Sequence, residues 1–338
     1  MTLVLTHHPR FRRAALAEAE AAFGALTEVE RPDRSVTVID CPSEDQGLIR
    51  DSIFVQHVAP GDRAIRIEGT SGDVGMLVDA TASMAAVIRG KFAVQCRRGA
   101  HSGGAAHSGA AYTTRDVEIA IGAPIEQAGA SVELDQPEQV LSIYLGGSTA
   151  YAGVSPAALN KRILIPQHRR YAATPEICRA EHKLEEAIDL WQLRSDLMGA
   201  DVLDVGASPG GWSWVLARAG ARVTAVDPGD LDPRVTALDG VEHLKARAES
   251  LSYDGAQFDW VVNDMNVDPP LAAEVLVQVH PWLRGNARGV TTLKLAGRSR
   301  PREVLGEFVS RLTPHYETEA AQHLYSNRQE VTLLLRRA

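Results

Sequence analysis

Three glycines stand between an apolar run at residues 202–205 and a second apolar run that begins with Trp212. This order predicts a strand, a glycine loop and a helix, which together begin a nucleotide-cofactor site. Glycine has no Cβ, so the loop backbone can approach a ligand closely, and the helix N-terminus offers unpaired N–H groups to an anion. The spacing differs from the G-x-G-x-x-G fingerprint of dinucleotide sites. The candidate cofactor-binding residues of this segment are Gly206, Ala207, Ser208, Pro209, Gly210, Gly211 and Trp212.

An acidic residue follows the loop where an adenosine ligand would need one. Residues 223–226 are predicted to form the next strand, which ends at Asp227, about 20 residues after the loop. A carboxylate there can accept hydrogen bonds from both ribose hydroxyls. Strand, glycine loop, helix, strand and acid are the usual layout of methyltransferases that use S-adenosylmethionine (AdoMet), so AdoMet is the predicted cofactor. An ordinary β-α-β unit with a tight turn is the alternative interpretation.

Three other ionisable residues lie at predicted strand ends, where ligand sites form in open α/β sheets, and a fourth lies on a predicted helix. Asp264 and Lys294 each end a predicted strand, and Glu330 begins the last one. Lys183 lies ahead of the sheet, on a helix predicted from Thr174 to Met198. An unpaired charge among apolar neighbours is unfavourable, so each is expected to have a partner. Taken singly, they also fit independent surface charges or a structural ion-pair network.

The sequence resembles the FtsJ-type RNA ribose 2′-O-methyltransferases. The matching segments follow one another over residues 178–336: 181–187, 204–212, 263–265, 292–295 and 324–332. The resemblance implies a Rossmann-like catalytic domain, an AdoMet cofactor, an RNA substrate and a catalytic tetrad of Lys183, Asp264, Lys294 and Glu330, with Asp264 also beside the cofactor. Because the similarity extends to bacterial enzymes that methylate a cytidine ribose of the large ribosomal subunit, it implies ribosomal RNA as the substrate.

The implied reaction assigns a role to each member of the tetrad. A ribose hydroxyl must lose its proton while it attacks the methyl carbon of a sulfonium, and a lysine that accepts this proton must be neutral. The ordinary pKa of lysine is about 10.4, and a second ammonium nearby and partial desolvation both disfavour the charged form. We expect Lys294 to be the base and Lys183 to hold the hydroxyl. Asp264 would position Lys294, and Glu330 would orient Lys183 or the ribose, so that in-line placement supplies much of the rate.

Two departures from the family pattern concern the cofactor. The family has a Ser-Arg-Ser-like run before the first tetrad lysine, with a serine at the cofactor, whereas this chain has Cys178-Arg179-Ala180. The family also has an aspartate beside the adenine amino group, where this chain has Arg247. Arginine cannot accept a hydrogen bond, so Glu249 is the candidate acceptor at a shifted position.

The predicted fold class is α/β, with α+β RNA-binding units ahead of a Rossmann-like methyltransferase domain. Alternating strands and helices followed by a final hairpin predict a mostly parallel sheet with an antiparallel edge strand. We expect a small α+β, ferredoxin-like unit at residues 1–60, a THUMP-like RNA-binding domain at 61–165 and the catalytic domain at 166–338. Residues 53–60 are similar to the family's N-terminal region, while the THUMP-like assignment depends on domain order.

Two groups of basic residues are candidates for contacts with RNA phosphates. The first lies in a stretch without acids between the two halves of the chain, and the second follows Lys294. The candidates are Lys161, Arg162, Arg169, Arg170, Arg298 and Arg300, with Arg302 beside them. A solvated linker and solvated surface charges are the alternatives.

Composition limits the class of protein. The formal net charge of −8 argues against a general nucleic-acid coat protein, so any RNA contact must be a local basic patch. No apolar run approaches the roughly 20 residues that span a bilayer. Three separated cysteines indicate reduced thiols in a cytoplasm. His101 and His107 lie in a Gly/Ala/Ser-rich segment without nearby acids, so no metal site is predicted.

Two other functions stay open at this point. A base or small-molecule methyltransferase can use the same fold, and Asp268-Pro269-Pro270-Leu271 superficially resembles the Asn/Asp-Pro-Pro-aromatic motif of base methylation, without the aromatic residue. A non-catalytic RNA-binding or chaperone protein that has kept the fold is the rival from another class. Measurable AdoMet binding would separate it from an enzyme.

Overall fold

The computed structural model describes residues 1–42, 51–98, 110–157 and 176–338. The chain divides into two compact units, Met1–Ile165 and Pro166–Ala338. Within the described ranges, no helix is both long enough and apolar enough to cross a membrane.

An antiparallel sheet with the strand order β2–β3–β1–β4 forms one part of the first unit. Its elements are β1 (Thr2–His7), α1 (Arg12–Phe23), β2 (Thr27–Asp33), β3 (Val36–Asp40) and β4 (Val55–Pro60). β2 is missing from the predicted elements because its residues are all exposed or half-buried and lack an apolar alternation.

A second sheet of the first unit has the order β5–β9–β8–β6–β7. Its elements are β5 (Arg63–Arg66), α2 (Gly72–Ala85), β6 (Lys91–Arg98), α3 (Thr114–Gln127), β7 (Ser131–Val132), β8 (Gln139–Leu145) and β9 (Thr149–Pro156). α3 begins at a capping box between Thr113 and Asp116. The ferredoxin-like and THUMP-like assignments of these parts stay predictions.

One mixed sheet forms the second unit, in the order β12–β11–β10–β13–β14–β16–β15. The elements are α4 (Glu181–Leu190), α5 (Arg194–Leu197), β10 (Asp201–Val205), α6 (Gly211–Arg218), β11 (Arg222–Val226), α7 (Pro233–Thr236), β12 (Val241–Leu244), β13 (Phe258–Asn263), α8 (Pro269–Val279), β14 (Leu283–Lys294), α9 (Pro301–Leu312), β15 (Tyr316–Gln322) and β16 (Glu330–Arg337). β16 pairs antiparallel with β14 and β15, and the pairs from β12 to β14 are parallel. The predicted α/β fold, mostly parallel with an antiparallel edge, is confirmed.

The helix predicted from Thr174 to Met198 is wrong in its extent. Thr174 lies outside the described residues, and α4 ends at Leu190. Gln192 has a positive φ of 55°, and Leu193 N–H donates to the carbonyl of Ile188. This is a Schellman-type ending, which the sequence hides because glutamine occupies the position that glycine usually takes.

The helices α4 and α6 cover one face of this sheet. Leu184 and Ile188 of α4 and Leu216 of α6 are buried in one core with strand residues such as Val262 and Val290. Side chains alternate between the two faces of a strand. Polar residues at even spacing from these valines, near the strand ends, therefore point toward α4.

Candidate active site

The carboxyl ends of four parallel strands lie along one edge of the second unit's sheet. The glycine loop follows β10, Asp227 follows β11, Asp264 follows β13 and Lys294 ends β14. Antiparallel pairing places Glu330, the first residue of β16, opposite Lys294. Lys183 extends from α4 to the same place, so the structure brings all four tetrad residues together.

Each carboxylate of the tetrad contacts both lysines. Lys183 Nζ donates to Asp264 Oδ1 at 2.9 Å and to Oδ2 at 2.7 Å, and lies 3.1 Å from Glu330 Oε1. Lys294 Nζ donates to Asp264 Oδ1 at 2.6 Å and to Glu330 Oε2 at 3.1 Å. The four charges therefore form a closed, electrically balanced ring.

Burial makes this pairing matter. The four side chains are only 12–14% exposed. Burial works to lower the pKa of Lys183, but attraction to Asp264 and Glu330 outweighs it, and the pKa lies above its ordinary value. Burial works to raise the pKa of Glu330, but Lys294 and Lys183 outweigh it, and the pKa lies below its ordinary value. Both groups are thus held in their charged forms.

Thr292 is a member of the site that the sequence patterns did not reveal. Its hydroxyl donates to Asp264 Oδ1 at 2.6 Å, the oxygen that both lysines also contact. The side chain is buried and lies two residues before Lys294, on the same face of β14. The alternation of side chains along β14 is the pattern from which Thr292 could have been predicted to lie beside Lys294.

Asp204 is a second missed residue, deeper in the sheet. It is 1% exposed, and Ser213 Oγ donates to its Oδ2 at 2.6 Å. Burial raises its pKa to about 7, with repulsion from Asp264 and Asp227 adding to the effect and the Ser213 hydrogen bond opposing it. The contact joins β10 to α6 and so braces both sides of the glycine loop.

The glycine loop needs its glycines. Gly206 and Gly210 have φ values of +76° and +110°, in the region that side chains disfavour. A Cβ on Gly206 would collide with Met265, and a Cβ on Gly210 would lie 2.9 Å from Val235. Trp212 is buried, and its indole N–H donates to the carbonyl of Ala180 at 2.8 Å, which fixes the loop to the beginning of α4.

The polar groups around the loop fit an adenosyl cofactor. Asp227 Oδ2 accepts from Ser208 N–H at 3.2 Å, and Oδ1 accepts from Gly229 N–H at 2.6 Å. These bonds fix the carboxylate and leave each oxygen a lone pair for a ribose hydroxyl. At the other end of the loop, the first N–H groups of α6 suit the carboxylate of the cofactor's amino-acid part.

Of the two departures from the family pattern, one lies at the loop. A Cβ on Gly211 would lie 2.5 Å from Cys178 Sγ, so the thiol packs directly beneath the loop. Burial raises the pKa of Cys178, which keeps it a neutral thiol. The other departure lies at the surface: Arg247 and Glu249 are both exposed, and only Ala248 between them is buried.

The predicted RNA contacts lie partly within and partly outside the described residues. Arg298 pairs with Asp268 at 2.9 Å and Arg300 with Glu303 at 3.2 Å, both at exposed positions. The other four predicted residues, Lys161, Arg162, Arg169 and Arg170, lie outside the described residues. The Asp-Pro-Pro-Leu run has a structural explanation, because its prolines occupy the first turn of α8.

The described ranges contain no group of His, Cys, Asp and Glu that could hold a metal ion. His101 and His107 lie outside those ranges. Cys41, Cys96 and Cys178 are not joined by disulfide bonds. The cytoplasmic location inferred from the cysteines stays a prediction.

The chain is similar to known ribosomal RNA methyltransferases. The chain is similar to ribosomal RNA large subunit methyltransferase M of Shewanella frigidimarina, with 29% identity over 65% of this chain and 64% of that protein. It is also similar to the protein of that name in Pseudomonas putida (strain GB-1), with 32% identity over 66% of this chain and 65% of that protein. The chain thus spans a little under two thirds of these relatives. Among solved structures, TrmN from Thermus thermophilus is 18% identical, with a TM-score of 0.41 over 100% of this chain and 99% of that chain.

A family match covers the segment from just before α4 to just past α8. It includes Lys183, the glycine loop, Asp227 and Asp264, and ends before Lys294 and Glu330. The predicted resemblance is confirmed, and the match supports the predicted AdoMet cofactor. Residues 177–281 match the family of FtsJ-like methyltransferases.

Proposed function

We propose that this chain is an AdoMet-dependent RNA methyltransferase that modifies a ribose 2′-hydroxyl. The observation that carries the proposal is the closed tetrad at the strand ends, on the edge where the glycine loop and Asp227 also lie. The names of the relatives, which are ribosomal RNA methyltransferases, support ribosomal RNA as the substrate.

The cofactor supplies an electrophilic methyl group on a positively charged sulfur. The chain's part is to hold this group in line with the ribose oxygen. The loop at residues 206–211 would contact the cofactor through its backbone. The Asp227 carboxylate would accept hydrogen bonds from the ribose hydroxyls. Asp264 follows β13, which lies between β10 and β14 in the sheet, and its negative charge suits a neighbouring sulfonium.

Lys294 is the proposed base. As a neutral amine, its Nζ would take the proton of the 2′-hydroxyl as that oxygen replaces the cofactor's sulfur on the methyl carbon, so that the sulfur leaves as a neutral thioether. Lys183 stays an ammonium, because Asp264 and Glu330 raise its pKa. Its proposed role is to donate a hydrogen bond to the ribose oxygen.

The two carboxylates fix the directions of the lysines. Asp264 accepts hydrogen bonds from the Nζ atoms of both lysines, and the Thr292 hydroxyl donates to Asp264 in turn. Glu330 contacts both lysines from the opposite side. Positioning of this kind can account for much of the rate of a group transfer.

The first unit is the proposed RNA-presenting region, by analogy with the domain order that the family resemblance implies. Arg298 and Arg300 are proposed phosphate contacts, although each must exchange its acidic partner for a phosphate. Loss of these exposed ion pairs is inexpensive, because such pairs contribute little to stability.

The proposal is tested in two steps. Calorimetry with AdoMet asks whether the chain binds the cofactor, which a non-catalytic RNA-binding protein need not do. Transfer of tritium from methyl-labelled AdoMet to ribosomal RNA, followed by nuclease mapping, then asks where the label resides. We expect binding, and label on a ribose. Label on a base, or no label on RNA, would contradict the proposal.

A further inference from the structure

Glu186 grips the backbone of a segment that is distant in sequence. Its Oε1 accepts from Tyr325 N–H at 2.9 Å, and its Oε2 accepts from Ser326 N–H at 2.8 Å. Two consecutive N–H groups thus converge on one carboxylate. Charge-assisted hydrogen bonds of this kind are about twice as strong as neutral ones, so the contact restrains the segment firmly.

The held segment leads directly into the tetrad. Asn327 Oδ1 accepts from Leu324 N–H at 2.7 Å and from Thr332 Oγ1 at 3.1 Å, which closes the turn before β16. Leu295 N–H donates to Gln329 O at 2.7 Å, so the last residue before Glu330 is tied to the end of β14. Glu330 is therefore placed from two sides, by this turn and by the pairing of β16 with β14.

The helix that carries Glu186 also carries Lys183. Residues three apart lie on the same side of a helix, so Lys183 and Glu186 both project from one side of α4. One of them contacts Glu330 directly, and the other holds the turn that precedes it. α4 thus sets both ends of the Lys183–Glu330 contact.

We propose that Glu186 is a positioning residue of the methyl transfer, which acts through the turn at residues 324–328 on Glu330. The inference depends on the proposed function for its effect on rate. Without the carboxylate, the turn loses its anchor to α4, Glu330 moves relative to both lysines, and the ribose is held less well during proton transfer. Cofactor binding stays intact, because the glycine loop and Asp227 are held by other contacts.

The test compares three variants with wild type: Glu186→Gln, Glu186→Ala and Glu185→Gln. Glutamine keeps one acceptor oxygen, and alanine keeps none. Glu185 is the matched control, since it is the adjacent acid on α4 and lies near His182. Backbone hydrogen exchange at Tyr325 and Ser326, the AdoMet Kd, and kcat and KM for RNA are measured for each.

We expect faster exchange at the two amides in both Glu186 variants, with alanine more affected than glutamine. kcat should fall by about ten- to a hundredfold in Glu186→Ala, with the AdoMet Kd within about twofold of wild type. Glu185→Gln should match wild type in all of these measurements. Unchanged kcat, or loss of AdoMet binding in parallel with kcat, would overturn the positioning role.

Failure of the proposed function is recognised separately. In that case wild type itself transfers no methyl group to an RNA ribose. The exchange measurement does not need activity, so unchanged exchange at Tyr325 and Ser326 in Glu186→Ala would overturn the inference whatever the reaction is.

Discussion

Two charged clusters lie at opposite ends of the same parallel strands. The tetrad stands at the carboxyl edge. At the amino edge, Asp201, Arg222, Asp259 and Arg284 form what we call the amino-edge cluster, with contacts of 2.6–3.0 Å. Each cluster has two cations and two carboxylates at similar distances. They differ in exposure: the side chains of the amino-edge cluster are 27–61% exposed, and those of the tetrad are 12–14% exposed.

This difference in exposure distinguishes a surface feature, the amino-edge cluster, from a cluster that serves function, the tetrad. Exposed ion pairs are well solvated and contribute little, so the amino-edge cluster is a surface feature of the sheet. In the tetrad, removal of one partner leaves a buried charge without compensation, which is strongly unfavourable. A protein that retains such a buried ring beside a glycine loop is organised around the chemistry of that edge. Substitutions at the two edges, and in the glycine loop at the carboxyl edge, should therefore differ widely in their effects.

The largest effect is expected at the proposed base. Lys294→Ala should lower kcat by about a hundred- to ten-thousandfold, because general-base catalysis contributes a factor of that size. The AdoMet Kd should change little, because Lys294 contacts Asp264 and Glu330 and not the glycine loop. Single-turnover methyl transfer and calorimetry provide the two measurements. Full activity in this variant would remove Lys294 from the mechanism.

The raised pKa of Asp204 predicts that the stability of the protein depends on pH. Its folded-state pKa is raised to about 7 from the ordinary 3.8. Its contribution to stability is therefore fully present below pH 3.8 and is lost as pH rises through 7. Relative to Asp204→Asn, wild type should lose stability over this window, by an amount on the order of a few kcal/mol.

Thermal unfolding of both proteins between about pH 4 and pH 8 measures this effect. The advantage of the asparagine variant should grow with pH and level off above about 7. A constant difference across the range would show that Asp204 does not titrate there.

Gly206→Ala tests the loop itself. It places a Cβ against Met265 at a φ of +76°, so the loop must shift. Backbone strain of this kind is worth about 1–3 kcal/mol, and we expect the AdoMet Kd to rise by about ten- to a hundredfold. Gly255→Ala is the matched control, because Gly255 has a φ of +75° and a Cβ added there would have nothing within 4 Å. Equal effects of the two variants on the Kd would show that the glycine loop does not take part in cofactor binding.

The smallest effect is expected in the amino-edge cluster. Arg284→Ala breaks contacts with Asp201 and Asp259 at exposed positions. Methyl transfer should be unchanged, and the melting temperature should fall by no more than a few degrees. A loss of activity comparable to that of Lys294→Ala would abolish the contrast between the two edges.

Much of the second unit could be predicted because its strands are apolar runs that end in polar residues. Three of the four tetrad positions follow from those strand ends, and the family resemblance adds Lys183 on α4. Local pattern fails at β2, which is too exposed to show a period, and at Gln192, which ends α4 without a glycine. Local pattern also gives no indication of the role of Asp204, an acid that interrupts an apolar strand.

Two contacts between distant residues outside the predicted tetrad could not be predicted from the sequence. Thr292 meets Asp264, and Glu186 meets Tyr325, across separations of 28 and 139 residues. Spacing in the sequence carries no information about such pairs, because the order of the strands in the sheet brings them together. The tetrad could be proposed without the structure, but the residues that support it could not.

The identity of the methylated nucleoside decides whether the tetrad acts on a ribose hydroxyl. RNA treated with AdoMet and either wild type or Lys294→Ala is digested to nucleosides and analysed by mass spectrometry, with AdoMet binding confirmed for both proteins. We expect a 2′-O-methylnucleoside from wild type and a strongly reduced amount from the variant. A base-methylated nucleoside, or equal amounts of product from both proteins, would contradict a ribose-directed tetrad.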